Sequence, residues 1–307
     1  MKAVIDAIDR DLIESELSKD KFLRKTNNGN NEIYIVTQDN SPYLLKEIGR
    51  LRELSFRSAG GGTGKDCDLD HFDIDPPQYK QLLVWNPDDK EIIGAYRYIK
   101  CKEALNGKNI HLATADLFHF SDTFIKEYFP HTIELGRSFV QPFYQPVKNS
   151  RKGMFSLANL WDGLGALIID NPDIQYFFGK VTMYPHLHIK ARDMILFFLH
   201  KYFPDTENLV NPIIALPYTT SISELNKIFS GSDYDEDYKI LSNEVRQLGE
   251  TIPPLINAYM KLSKTMKIFG TAINKEFGDV YETGLLINLK DIFDVKIERH
   301  LTNYNKL

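Results

Sequence analysis

A glutamate and an arginine three residues apart, with a glycine between them, lie inside an apolar stretch: Ile133-Glu134-Leu135-Gly136-Arg137-Ser138-Phe139-Val140. The stretch reads as a strand, and strand interiors rarely carry either charge because an unpaired buried ion is costly. Two explanations fit. One is an ion pair at a strand end. The other is an active-site edge where Glu134 takes a proton and Arg137 positions an anion. Residues 134 and 137 of a regular strand face opposite sides, so a shared pocket requires a bulge between them. Gly136 is the residue type that marks bulges. A bulge also leaves a backbone N–H unpaired in the ladder, the donor that an acyl-transfer oxyanion requires.

A second constellation follows. Arg151-Lys152-Gly153 precede an apolar helical pattern from Met154 to Ile169. A helix start offers free N–H groups and a positive dipole end, so this turn suits the phosphate of a phosphopantetheine arm on coenzyme A or on a carrier protein. Gly60-Gly61-Gly62-Thr63-Gly64-Lys65 is not a P-loop: Ala59 stands where the first glycine belongs, and Asp66 follows the lysine. Its glycines suggest a flexible lid. Asp66, Asp68, Asp70, Asp73 and Asp75 cluster next, with His71 and Pro77 where a calcium loop needs glycine and glutamate. Composition makes them a solvated acidic turn, or a pocket for a cationic amine. Gly-x-Ser-x-Gly, His-Glu-x-x-His and Cys-x-x-Cys patterns do not occur, so neither a nucleophile elbow nor a metal is expected. His111/Asp116 and His188/Asp193 have the His-x4-Asp spacing of glycerolipid acyltransferases. With eight histidines such coincidences arise, and they stand as the runner-up.

Composition bounds the class. The chain has 307 residues, 43% of them hydrophobic, and a net charge of -5, which speaks for a globular protein and against a nucleic-acid binder. Cys67 and Cys101 give no disulfide framework, the N-terminus lacks an apolar signal run, and no membrane-length apolar stretch occurs. A cytoplasmic protein is expected, with peripheral contact at the membrane left open. From Arg137 to Lys201 eight Lys/Arg face four Asp/Glu, whereas from Asp205 onward fifteen acids face eleven bases. A basic middle suits an anionic ligand or an acidic partner.

The elements that must hold these residues are legible from periodicity. The pattern predicts helices over Val4–Leu17, from Pro42 to Phe56 behind a Ser41 cap, over Asp116–Phe129, over His186–Tyr202 and from Pro253 through Leu262. Strands are expected at Glu32–Thr37, at Gln81–Trp85 and Ile92–Ile99 as a hairpin, at Ile133–Val140, at Tyr176–Met183, and as a last pair, Lys267–Ile273 with Tyr281–Leu289. A single domain over 1–307 is expected, with an N-terminal helical extension (1–31) and a polar insertion (204–250) whose Ser230–Asp237 stretch is exposed. The alternation of strands and helices is that of an α/β (α+β) fold.

Taken together, these segments resemble a known family. Leu51-Arg52-Glu53-Leu54-Ser55-Phe56-Arg57, Asp68-Leu69-Asp70-His71-Phe72-Asp73, Gly94-Ala95-Tyr96-Arg97 and Glu134-Leu135-Gly136-Arg137-Ser138 resemble the GNAT-like N-acyltransferases that carry a haemolysin label. These include the ornithine-acyl-carrier-protein N-acyltransferases and, most similar, the Bacteroidetes glycine N-acyltransferases. The order of the motifs is also similar to that of acyl-homoserine-lactone synthases. The resemblance implies a GNAT fold, a mixed, splayed sheet flanked by helices. It implies transfer of a (3-hydroxy)fatty acyl group from acyl carrier protein to the α-amino group of an amino acid, glycine preferred, to give an N-acyl amino acid lipid. Ornithine or lysine as acceptor, and a non-catalytic acyl-carrier-binding protein, are the alternatives. By motif, Glu134 and Arg137 become the catalytic residues, and Arg52, Asp70, Asp73, Arg97 and Ser138 the substrate pocket. Arg151, Lys152 and Gly153 only approximate the GNAT pyrophosphate loop, which favours a carrier-protein arm as donor over acyl-CoA. No permanently bound cofactor is implied. The implied partners are acyl carrier protein, the amino acid and a downstream O-acyltransferase.

Overall fold

The structure, a computed structural model, describes residues 1–107, 109–145, 153–301 and 304. The backbone gathers into two compact units. The first comprises Met1–Ala113, Phe129–Gln175 and Phe293–Leu307, and the second Thr114–Tyr128 and Tyr176–Ile292.

The first unit is built on an antiparallel sheet of β1 (Phe22–Lys25), β2 (Glu32–Val36), β3 (Lys80–Asn86), β4 (Glu91–Lys100) and β5 (Thr132–Val140), each strand pairing with the next. The hairpin joining β3 to β4 turns on Asn86, whose side chain accepts from the Asp88 and Asp89 N–H groups, and on Lys90 in the left-handed region. Helix α1 is Arg10–Ser15 and α2 is Pro42–Ser58. As its spacing predicts, α2 buries Leu44, Leu45, Ile48, Leu51 and Phe56. A four-residue helix, α3 (His71–Ile74), follows, then α4 (Ser156–Asp170) and α9 (Asp294–His300). Arg52 of α2 reaches Gln81 of β3, while α4 lies against the neighbouring Leu82. Adjacent strand residues point to opposite faces, so α2 and α4 cover the two faces of this sheet. Close approach requires glycine on α4. A Cβ at Gly163 would stand 2.6 Å from the Leu82 side chain, and one at Gly165 2.5 Å from the His300 carbonyl oxygen.

In the second unit β6 (Tyr176–Met183) pairs antiparallel with β8 (Val280–Asn288), and β8 with β7 (Lys267–Asn274). Around them are α5 (Ile189–Tyr202), α6 (Ile222–Ile228), α7 (Tyr234–Gln247) and α8 (Pro254–Met260). Phe120, Phe124, Phe178 and Phe269 pack ring against ring in its core.

Several local expectations are corrected. The helix expected over Val4–Leu17 is confined to α1, because the Asp9 carboxylate caps it by accepting from the Asp11 and Leu12 N–H groups. Lys2 and Ile5 instead donate to the Gly64 and Asp66 carbonyls. The helix expected over Asp116–Phe129 is instead a short strand, Phe118–Phe120, paired with Val210–Pro212, and one wide turn, Phe124–Tyr128. Strand β1 was not legible in its four residues. The polar stretch 204–250 holds α6 and α7. Ser230–Asp237 is surface chain except at Asp237, which is fully buried and accepts from Lys201, Tyr202 and the Gly231 N–H.

Among the described residues no helix is long and apolar enough to cross a membrane.

Candidate active site

The bulge that a shared pocket requires exists, one residue beyond Gly136. Gly136 sits in register opposite Arg97, whereas Phe139 sits opposite Ala95. Arg137 and Ser138 therefore share the single partner position of Tyr96. The left-handed residue is Arg137 itself, at φ +48°. A non-glycine residue pays roughly 1–2 kcal/mol for that conformation. The shift turns the Arg137 side chain onto the face that carries Arg97, where it meets two acids.

Those acids come from the segment read as a solvated turn. Asp68 and Asp73 are instead fully buried, because arginines from α2, β4 and β5 converge on them. Arg52 of α2 donates to both Asp73 oxygens at 3.1 Å and to Gln81. Arg97 of β4 donates to both oxygens of Asp70 at 2.8 and 2.9 Å and to Asp73 at 3.2 Å. Arg137 Nε lies 3.1 Å from Asp68 and its Nη2 3.6 Å from Asp70. Asp70 and Asp73 also form a capping box on α3, each accepting a backbone N–H of that turn. Three guanidiniums thus balance three carboxylates in a largely buried pocket, an arrangement that stays favourable only while the buried charges keep their partners.

The electrostatics rank the members. Burial pushes the Asp68 carboxyl up, and the pull of Arg137 and Arg52 does not overcome it. Burial also opposes ionisation of Asp70, yet Arg97 and then Arg137 outweigh it and hold that carboxyl well below the usual range. Burial lowers Arg97, but Asp73 and Asp70 raise it further, so it stays charged. Exposure divides the group as well. Arg52 and Asp73 are fully buried and Arg97 is 3% exposed, whereas the Asp70 and Arg137 side chains keep 20% and 13% of their surface.

Glu134 lies on the same face two residues before Gly136, and it is 1% exposed. It accepts a 2.8 Å hydrogen bond from the Tyr79 hydroxyl. The ring of Tyr79 lies 5.1 Å from the Arg97 guanidinium, and Phe72 approaches the same guanidinium at 5.6 Å. The tertiary structure therefore brings together Arg52, Asp70, Asp73, Arg97 and Arg137 and links Glu134 to them through Tyr79, while Ser138 is part-buried beside Arg137 within the bulge. Gly153 is buried just before α4, while Arg151 and Lys152 lie outside the described residues. Sequence reasoning missed Tyr79 and Gln81. Neither belongs to a spacing pattern, and only the preceding Pro76-Pro77 marks the place.

The glycine-rich stretch is corrected from a free lid to an anchored loop. Glu53 of α2, fully buried, accepts from the Thr63 N–H and hydroxyl, the Gly64 N–H and Arg57 Nε, at 2.6 to 3.1 Å. The runner-up pair His188/Asp193 is not a dyad. His188 caps α5 by accepting from the Lys190 N–H, and Asp193 binds Arg192 and the Thr219 and Thr220 N–H groups.

A family model described as an acetyltransferase (GNAT) domain matches residues 51–151, the span from α2 through β5 that supplies every member of the cluster. The protein is thus an acyltransferase of the GNAT class, with an α/β fold. Over 309 aligned residues it is 54% identical to a glycine N(alpha)-acyltransferase of Bacteroides thetaiotaomicron, covering 99% of this chain and 91% of that one. It is 52% identical to a protein of the same description from Phocaeicola vulgatus, covering 100% and 94%. The chain belongs to this family. Two solved structures are similar at a greater distance. They are the AHL synthase LasI (16% identity, 55% of this chain and 78% of that one, TM-score 0.32) and AAC(6')-Ib in complex with ribostamycin and coenzyme A (10%, 89% and 99%, 0.34).

Proposed function

We propose that the protein transfers a (3-hydroxy)fatty acyl group from acyl carrier protein to the α-amino group of glycine. The observation that carries the site assignment is that Asp70 and Arg137, alone among the six cluster charges, keep appreciable surface. A carboxylate held ionised beside a guanidinium matches the ammonium and carboxylate of a zwitterionic amino acid. Arg52, Asp73 and Arg97 act beneath them, fixing their positions. Glycine as acceptor is supported by the two full-length relatives described as acting on it.

In this reading Glu134 is the general base. Because it is 1% exposed, the amine proton reaches it through one bridging water. The freed nitrogen attacks the thioester carbonyl carbon. The C–N bond forms, the C–S bond breaks, the pantetheine sulfur leaves as a thiol with the proton passed on from Glu134, and the second proton of the former ammonium is released to water. The ladder interruption at Arg137–Ser138 is where backbone N–H groups meet the developing oxyanion, with Ser138 at the rim. Arg151, Lys152 and Gly153 hold the phosphopantetheine phosphate, with acyl-CoA as the weaker donor.

The test is direct. Purified protein given 3-hydroxyacyl carrier protein and glycine should yield N-acyl glycine, and Glu134→Gln should lose turnover while still binding donor. Ornithine, lysine and acyl-CoA are run in parallel. Faster turnover with ornithine or lysine would overturn the acceptor, and faster turnover with acyl-CoA the donor. Full turnover by Glu134→Gln would overturn the base.

A further inference from the structure

The Tyr79 hydroxyl is hydrogen-bonded to the Glu134 carboxylate, and its own hydrogen is placed by its other neighbour. Its oxygen lies 2.9 Å from the Ala113 N–H, and an amide N–H can only donate. The hydroxyl must therefore accept from Ala113 and direct its proton at Glu134 Oε1, 2.8 Å away. Tyr79 is fully buried, and its backbone N–H donates to the Phe72 carbonyl at 2.8 Å. That bond ties it to α3, which Asp70 caps and which carries Asp73. Tyr79 therefore joins the charged cluster to the carboxylate across 55 residues of sequence.

We propose that Tyr79 is a positioning residue that sets both the orientation and the basicity of Glu134. This inference rests on Glu134 being the base of the reaction. A donor aimed at a carboxylate favours its ionised form. It lowers the pH at which the base becomes available, and it fixes the orientation of the carboxylate through Oε1. Burial and then the Glu134 charge push the phenol far above its ordinary pKa, so Tyr79 stays protonated throughout and is not itself the base. The same hydroxyl satisfies the Ala113 N–H.

Two substitutions of opposite sign test the idea. Tyr79→Phe keeps the ring beside Arg97 and deletes only the donor. The acidic limb of the pH profile of kcat/KM for glycine should move up by about one pH unit, and kcat should fall about tenfold, with KM for the acyl donor unchanged. Replacing Tyr79 by 3-fluorotyrosine keeps the shape and strengthens the donor, so the same limb should move down. It also decides the matter if Tyr79→Phe does not fold. Profiles that coincide with the parent, or that move in the same direction, overturn the inference. The failure of the underlying reading is separable: Glu134→Gln with full turnover removes the base and Tyr79 with it. An inactive Glu134→Gln beside unmoved Tyr79 profiles removes Tyr79 alone.

Discussion

Asp73→Asn is the most informative single change in the buried cluster. The carboxylate is fully buried and accepts from Arg52 at 3.1 Å, Arg97 at 3.2 Å, Gln81 at 3.0 Å and the Asp70 N–H at 3.3 Å. The substitution nearly preserves volume but removes one of three negative charges. Arg52 (fully buried) and Arg97 (3% exposed) then share one acid fewer. Breaking a buried ion pair on one side costs about 3–5 kcal/mol, a large part of the roughly 5–15 kcal/mol that a folded domain has in hand. Both tryptophans, Trp85 and Trp161, lie in the first unit and are buried, so urea unfolding followed by their fluorescence reports the affected unit. The midpoint should fall sharply. Asp70→Asn, at the rim with a fifth of its surface in solvent, should cost much less. Arg52→Met combined with Asp73→Leu keeps the cluster neutral and should be less destabilised than Asp73→Asn alone. A loss below about 1 kcal/mol in Asp73→Asn, or a double variant worse than the single, would refute the view that paired charge in a largely buried pocket holds this edge together.

Other consequences can be checked by simpler means. Glu53→Gln should release the Thr63–Gly64 loop, seen as lost amide-exchange protection at those residues while the β3–β4 hairpin keeps its own. Burial raises Glu53, but its bonds to Thr63, Arg57 and Gly64 lower it further, to a net value below the ordinary 4.5. Asp70 is likewise lowered. Folded-state values below the unfolded ones mean that their stabilisation is present at neutral pH and lost as pH falls through the acid range. The urea midpoint should therefore decline below about pH 4, and less so in Glu53→Gln. Gly165→Ala places a Cβ 2.5 Å from a backbone oxygen and should lower stability by about 1–3 kcal/mol in a melting experiment. Arg137→Gly relieves the left-handed backbone, by about 1 kcal/mol, while deleting the side chain. It also leaves the fully buried Asp68 carboxylate without that guanidinium, which outweighs the backbone gain, so the melting temperature should fall and turnover should drop at least about tenfold.

Much of the fold was legible because its signals are local. Asn86 to Lys90 carry turn chemistry between two apolar runs, and the β3–β4 hairpin forms there. Ser41-Pro42 and an apolar stripe predict α2, and α2 forms over Pro42–Ser58. Where local signals were poor, the reading failed for identifiable reasons. The aromatic run from Asp116 fits a helix by composition, but Phe118–Phe120 finds a strand partner at Val210–Pro212, some ninety residues on. Four glycines suggest mobility, but a buried carboxylate ten residues earlier holds their loop.

The candidate site divides in the same way. By itself the sequence determined which residue types were available: an acid and a base in one strand, a run of aspartates, arginines at Arg52 and Arg97, and a family likeness linking them. It determined as well that a bulge had to intervene if Glu134 and Arg137 were to share a face. Only the tertiary structure decided that Arg137 rather than Gly136 takes the left-handed conformation. It alone decided which aspartates lose water and which keep it, and that Tyr79 is the partner of Glu134. Charge pairing and burial depend on distances between segments 21 to 69 residues apart, and no periodicity along the chain encodes those distances.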